Sequence, residues 1–241
     1  MTPTISVSSD STALMHDAAE HCLKLYRTAI EARGIYHIAL SGGSTPQALF
    51  QLFASPEYIN SFDWQLVHLW WSDERYVPLD HPDSNYRMAN EALISKVPIP
   101  ARNVHPTPTE LAPADAAQRY ESDIIVSLGA GASFDVILLG MGNDGHTASL
   151  FPGTIADFPP ERLVASHFVP QAGMQRITFT PKLINAAHHV VFLVSGKAKT
   201  AVLDRVLHGP YQPEVLPSQL IAPSPGEVTW LIDRDAAGDN F

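Results

Sequence analysis

The sequence predicts a single α/β domain built on a mostly parallel sheet. Three observations predict it. Short apolar runs at residues 35–40, 64–71, 136–139, 189–194 and 228–232 read as strands, the central ones branched enough to be buried on both faces. Stretches with helical spacing and helix caps separate most of these runs. No composition break, repeat, coiled coil or low-complexity linker divides the 241 residues, and α/β folds reach about that length as one unit. A hydrophobic content of 45% is enough for a full core.

Asp10 or Ser11 can cap a helix over residues 12–33. Leu14, Ala18, Cys22, Leu25 and Ala29 recur in it at helical spacing, and Gly34 is placed to end it. Asp17, Glu20, Lys24, Arg27 and Glu31 form its solvated face. Cys22 is the single cysteine; it permits no internal disulfide and reads as a small buried apolar side chain.

The strand at 35–40 runs straight into Ser41-Gly42-Gly43-Ser44-Thr45-Pro46, and a helix over 47–54 follows. Proline favours the first helical position. The loop offers backbone N–H groups, hydroxyls and the positive end of a helix dipole, which together suit a phosphate. An ordinary tight turn is the alternative. No Walker A lysine is present, so nothing points to a nucleotide.

The next strand, 64–71, contains His68, read as a packed core histidine. It ends at Ser72-Asp73-Glu74-Arg75-Tyr76-Val77-Pro78, three charges in succession that bring Asp73 and Arg75 to the same edge as the earlier loop. A solvated surface is the competing reading. Ser84 can cap a helix containing Met88, Leu93 and Ile94. Residues 98–113 read as a Pro-rich surface connection in which His105 has no assigned role, and 114–128 as a helix.

The chain is organised around residues 134–149, FDVILLGMGNDGHTAS. Gly140, Gly142 and Gly145 follow the strand and allow a sharp turn and close approach of a ligand. Asp144 and His146 sit in that turn, at the carboxyl end of a strand, where open α/β sheets bind ligands. Histidine is the commonest general acid or base near neutral pH. Thr147-Ala148-Ser149 can open a helix, and a structural turn with Asp144 as its cap is one alternative. The glycines also match a dinucleotide fingerprint, but the acidic residue expected about 20 positions on is missing from a strand end. Asp157 and Glu161 fall in a Pro-rich segment instead.

Residues 152–170 read as a long loop near this turn. Residues 176–181 alternate as a strand, with a short helix over 182–187. His188 and His189 are adjacent on a strand and point to opposite faces, which makes them poor partners for one metal ion. Gly196-Lys197-Ala198-Lys199 opens a helix over 200–207; lysines there oppose the helix dipole, so either a bound phosphate or solvation must accommodate them. A Pro-rich connection at 211–225, the strand at 228–232 and a polar tail at 233–241 complete the chain.

The net charge of −10 argues against nucleic acid or an anionic membrane as the main partner. The N-terminus lacks a basic, apolar, cleavable series, and no uncharged apolar run approaches the ~18 residues of a membrane span. The expectation is a soluble cytoplasmic protein.

Four segments taken together resemble the 6-phosphogluconolactonase family, part of a superfamily with glucosamine-6-phosphate deaminase. They are LSGGSTP at 40–46, WSDERYVP at 71–78 with HPDSNY at 81–86, LLGMGNDGHTASLFP at 138–152 and VSGKAKTAVL at 194–203, in order over nearly the whole chain. The resemblance implies a three-layer α/β/α sandwich, modified from the Rossmann type. It implies hydrolysis of 6-phospho-D-glucono-1,5-lactone to 6-phosphogluconate in the pentose phosphate pathway, without metal or organic cofactor, by a monomer or small homo-oligomer. Carried over by position, Ser41, Gly42, Gly43, Ser44, Thr45, Arg176 and Lys199 match a phosphate cradle, and His146 matches the general base. Asp144 would orient the imidazole or touch substrate hydroxyls. Asp73 and Arg75 would hold the sugar end, with Arg75 either near the developing oxyanion or salt-bridged to Asp73. The runner-up is the isomerase and deaminase, in which the aspartate at the position of Asp73 acts on the C2 proton. That enzyme carries a glutamate after its histidine, where this chain reads T-A-S-L-F-P. A non-catalytic sugar-phosphate-binding regulator on the same scaffold is the other alternative.

Overall fold

The structure, a computed structural model, describes residues 3–129, 131–155, 158–239 and 241; Asp157 lies outside them. In chain order the elements are β1 (Thr4–Ser8), α1 (Ser11–Arg33), β2 (Tyr36–Leu40), α2 (Ser44–Phe53), β3 (Val67–Trp71), β4 (Asp73–Arg75) and α3 (Asn85–Ala92). There follow α4 (Pro113–Leu128), β5 (Val136–Leu139), β6 (Val164–Val169), β7 (Met174–Phe179), α5 (Pro181–Ile184), β8 (His189–Val194), α6 (Thr200–His208), β9 (Glu227–Asp233) and α7 (Arg234–Ala237).

Alternation along the strands produces two cores. Side chains of a strand point to opposite faces in turn, so Ile38 and Leu40 of β2 and Val136 and Leu138 of β5 face α1, α2 and α3. Ala39, Ile137 and Leu139 face the other way, into a core shared with α4, α5, α6 and β7. The result is helices, sheet, helices: three layers, as the family resemblance implies. The sheet is six-stranded and parallel throughout, in the order β1-β9-β8-β5-β2-β3. A smaller antiparallel sheet has the order β4-β7-β6.

Strand order decides where a ligand can sit. From β2 the chain moves outward to β3; from β5 it moves the other way, to β8 and then β9. The neighbours β2 and β5, with Ala39 opposite Ile137, are therefore the switch point, and the loops leaving their carboxyl ends diverge around a crevice. Both the 41–45 loop and the Gly-rich turn leave from there.

The first helix forms as expected. Asp10 caps it by accepting the Ala13 N–H at 2.9 Å, Gly34 ends it in the left-handed conformation at φ 72°, and Cys22 is fully buried. Ser84 caps α3 by accepting the Arg87 N–H. Other elements differ from expectation for identifiable reasons. The strand predicted from residue 64 starts at Val67, because the Asp63 carboxylate accepts the Gln65 N–H in a local turn. The helix after the first loop begins at Ser44 rather than after Pro46; proline is tolerated in a first turn, whose N–H groups lack intrahelical partners in any case. Residues 72–78 are not all loop. Ser72 donates through its N–H and Oγ to Leu40 O, and its own carbonyl accepts the Phe179 N–H, so the chain changes sheets there and Asp73–Arg75 pairs with β7.

The long loop predicted at 152–170 contains β6, paired to β7 along its length. Thr147-Ala148-Ser149 opens no helix: Thr147 Oγ1 donates to Gly140 O, Ser149 Oγ donates to Asp73, and Ala148 between them takes φ 47°. The polar tail holds α7, capped by the buried Asp233, which accepts the Ala236 N–H. The strand β1 was not predicted; five residues alternating Ser and Thr with Ile and Val give too short a signal. His68 and His105 do not act alone. Their ring nitrogens lie 2.9 Å apart, and His105 stacks on Trp70 at 3.9 Å, so His105 seals the sheet rather than lying in an idle loop. Among the described residues no helix is long and apolar enough to cross a membrane.

One joint fixes the second sheet to the helices. Glu74, 1% exposed, accepts hydrogen bonds from the N–H groups of Arg75, Asn85 and Tyr86 and from Ser84 Oγ, tying β4 to the start of α3. Burial pushes its carboxyl up to about 7, and the N–H groups of Asn85, Tyr86 and Arg75 offset this only in part. The unfolded value of a glutamate is about 4.3. A raised folded pKa contributes stability fully below the unfolded value, and that contribution is lost as pH rises through the folded one. Glu74→Gln removes the titration. Urea unfolding of parent and variant should therefore show the parent losing stability relative to the variant from about pH 5 to about pH 8. A constant difference across that range would show that the carboxyl is not perturbed.

Candidate active site

At the end of β2 the chain turns through Ser41, Gly42 and Gly43 into α2. A Cβ on Gly42 would fall 2.0 Å from Asn85 Oδ1, and Gly43 has φ 105°, so both positions demand glycine. Asn85 is buried there and donates through Nδ2 to Asp73 O. No side chain caps α2, and Ser44 and Thr45 lie in its first turn. The N–H groups of that turn are open to an anion, and the helix dipole favours one.

The strand β5 runs into Gly140-Met141-Gly142, and the turn closes on itself. Gly142 N–H donates to His146 O at 2.8 Å, and Gly145 at φ 80° donates to Gly142 O. Asp144 Oδ1 accepts from both the N–H of His146, at 3.1 Å, and its Nδ1, at 2.6 Å. Burial alone would push the Asp144 carboxyl up, but the hydrogen bonds and charge of His146 hold it below the usual range. The imidazole also stacks on Phe151, with ring centres 4.0 Å apart. Clamped at Nδ1 and on one face, it has Nε2 left to exchange a proton with a ligand.

Opposite this turn stand the charges of the second sheet. Asp73, 7% exposed, accepts from Ser149 Oγ at 2.7 Å. Arg75 and Arg176 face one another across β4 and β7, a like-charged pair that is unfavourable without an anion between or beside it. Among the described residues Arg75 makes no ion pair with Asp73; its Nη1 donates to Asp83 O at 2.7 Å. Among the described residues the buried Nε atoms of Arg75 and Arg176 have no hydrogen-bond partner. Burial lowers the Arg176 pKa, with Asp73 opposing the shift. Lys199 donates to Met141 O at 2.7 Å, and burial lowers its pKa while Asp144 raises it. The loop that carries Lys199 is tied down by Asp233, whose carboxylate accepts from Ser195 Oγ and the Gly196 N–H.

A cavity of about 410 Å³ is lined by residues 41–45, Asp73, Arg75, His146, Arg176 and Lys199. The sequence-predicted site residues thus meet in one place, with Asp144 standing behind the imidazole. Asn85, Phe151 and Ser195 are among the lining residues that escaped sequence reasoning. Asn85 directly follows the helix cap, a position that usually faces solvent, and nothing in L-F-P announces a ring stacked on histidine. Among the described residues no three His, Cys, Asp or Glu side chains gather as metal donors. An oriented imidazole, a set of cations and an uncapped helix start suit attack of water on an anionic, phosphorylated substrate.

Comparison with known proteins bears on this arrangement. The profile of the family described as glucosamine-6-phosphate isomerases/6-phosphogluconolactonase matches residues 9–230. A 6-phosphogluconolactonase of Synechocystis sp. is 42% identical over 246 aligned residues, covering 100% of this chain and 99% of its own. Among solved structures, a devB protein superposes with a TM-score of 0.89 at 35% identity, with 98% of each chain covered. The 6-phosphogluconolactonase from Trypanosoma cruzi superposes with a TM-score of 0.87 at 30% identity, covering 99% of this chain and 98% of its own.

The turn geometry makes its own prediction. A Cβ on Gly142 would lie 2.1 Å from His146 Nδ1 and 2.6 Å from Asp144 Oδ1, inside the hydrogen bond that joins them. Gly142→Ala should therefore separate the pair and abolish the downfield proton resonance of that bond. Gly131→Ala, whose Cβ meets nothing within 4 Å, is the control and should retain it. An unchanged resonance in Gly142→Ala would mean that the turn tolerates a side chain and does not hold the imidazole.

Proposed function

The chain belongs to the glucosamine-6-phosphate isomerase/6-phosphogluconolactonase family, and from that premise we propose that it hydrolyses 6-phospho-D-glucono-1,5-lactone to 6-phosphogluconate, in the pentose phosphate pathway, with His146 as general base. The observation that carries the reading is the Asp144–His146 pair, whose imidazole lines the same cavity as the uncapped start of α2 and three cations. The substrate is a small dianion, and the protein acts on it in the cytoplasm.

The chemistry follows from the parts. The 41–45 loop, Arg176 and Lys199 take the phosphate through N–H groups, hydroxyls and charge. Asp73 meets the sugar hydroxyls. A water attacks the C1 carbonyl while His146 Nε2 removes its proton; Asp144 holds the Nδ1 side and stabilises the imidazolium. The carbonyl oxygen gains negative charge as the tetrahedral intermediate forms, and Arg75, which makes no ion pair among the described residues, supplies the opposing charge. When the intermediate collapses, the C1–ring-oxygen bond breaks. The ring oxygen leaves with the proton held by His146, and C1 becomes the carboxyl group of the product.

The isomerase reading is disfavoured by one residue. Phe151 lies on the His146 ring, in the stretch after the histidine where the deaminase carries its additional glutamate. Parent protein should accelerate lactone opening above the spontaneous rate and release no ammonia from glucosamine 6-phosphate. Ammonia release would move the protein to the isomerase class.

Two sets of variants test the roles. General-base catalysis contributes about 10²–10⁴-fold, so His146→Asn should lower kcat by that order with little change in KM, and parental kcat would sink the assignment. A hydrogen bond to a charged group is worth about 1.5–3 kcal/mol. Arg176→Ala and Lys199→Ala should each reduce kcat/KM roughly ten- to hundredfold, mainly through KM. If both handled substrate like the parent, the phosphate would bind elsewhere.

A further inference from the structure

Ser149 stands three residues beyond His146, is fully buried, and joins three strands. Its hydroxyl donates to Asp73 Oδ2 at 2.7 Å, on β4. Its N–H donates to Thr178 Oγ1 on β7 at 3.2 Å, and its carbonyl accepts from His167 Nε2 on β6 at 2.7 Å. Among the described residues no other hydrogen bond and no cation within ion-pair distance reaches the Asp73 carboxylate. A carboxylate that is 7% exposed is thus oriented by one hydroxyl.

The backbone is bent to bring that hydroxyl into place. Ala148 has φ 47°, a conformation that residues with a Cβ avoid, and Thr147 bridges to Leu150 across the turn. Such strain persists only where the surroundings over-determine it. Here they do: the buried Thr147 hydroxyl is held on Gly140 O, and Ser149 is gripped at its N–H, carbonyl and hydroxyl. A helix continuing from Thr147 would carry the Ser149 side chain away from β4.

We infer that Ser149 is a positioning residue for the reaction: it sets the Asp73 carboxylate in the orientation the substrate meets. One turn then carries the base, His146, and aligns the carboxylate on the facing sheet, so that base and carboxylate move as a unit. The inference rests on the reading above in which Asp73 contacts the substrate.

A double-mutant cycle tests it, using Ser149→Ala, Asp73→Asn and the pair together, each assayed for kcat and KM on the phosphorylated lactone. Loss of a charge-assisted hydrogen bond should lower kcat/KM of Ser149→Ala roughly ten- to hundredfold. In the Asp73→Asn background the same change should cost less than about threefold, because the group it orients is already altered. Equal cost in both backgrounds, or a parental Ser149→Ala, would overturn the inference and leave Asp73 where the function places it. A parental Asp73→Asn would instead remove the substrate contact and the inference with it, with His146 unaffected. Ser149→Cys keeps the volume and a weak donor. It should fall between parent and alanine variant, and it carries the cycle if the alanine variant does not fold. A cysteine variant as poor as alanine, with no dependence on residue 73, would mark Ser149 as packing alone.

Discussion

The parallel pairing of β2 with β5 is the constraint on which the site depends. Backbone hydrogen bonds fix Ala39 beside Ile137, so the carboxyl ends of the two strands are separated by one inter-strand spacing. Everything that follows those ends must share one crevice: the 41–45 loop from one strand and the Gly140–Ser149 turn from the other. The two loops need no direct bond to hold their relative position, because the sheet beneath holds it. The two cores, one on each face, make that pairing expensive to disturb. A site built this way is rigid where the strands end and adjustable only in side chains.

The second sheet supplies what the first cannot. A parallel strand end offers backbone and helix dipoles, but few side chains point across the crevice. The bend at Ser72 carries Asp73 and Arg75 over the opening, and pairing with β7 adds Arg176. The cost is electrostatic. Two guanidiniums face each other and a carboxylate is buried beside them, while the chain as a whole is strongly acidic. A cavity whose cations make no ion pair among the described residues is complementary to an anion despite the net charge of −10. Burial lowers the pKa of both Arg176 and Lys199, and an incoming dianion would reverse that penalty.

Much of this was legible in the sequence because local rules agree with the fold. Strand alternation, the Asp10 and Ser84 caps, Gly34, and glycines where a Cβ would collide all follow from short-range physics. The proposed base and phosphate loop were legible for the same reason, since each lies at the end of its own strand. What was hidden depends on distant pairing. The three-residue strand Asp73–Arg75 exists only because β7, about a hundred residues later, lies against it. The role of Asn85 exists only because Gly42 leaves room for it. The turn at Thr147-Ala148-Ser149 reads as a helix start by propensity, and buried hydroxyl contacts to Gly140 and Asp73 override that preference.

The departures from local preference are concentrated rather than scattered. Ala148 in the left-handed region, the opposed arginines and the buried carboxylates of Asp73 and Glu74 all lie within or beside one cavity. Each is unfavourable taken alone. Glu74 shows how the fold tolerates them: without a cation it is held by three backbone N–H groups and a hydroxyl, and it serves as the joint that fixes its neighbours in sequence. Asp73 and Arg75 flank it and cannot relax without moving that joint. These groups are locked by hydrogen bonds to neutral donors and acceptors rather than by direct ion pairs among the described residues, so Asp73 offsets the Arg176 charge only at a distance and both arginines stay directed at the cavity. That separation, dipoles for holding and charges facing the cavity, is how an acidic protein would present a pre-organised site to the proposed dianion.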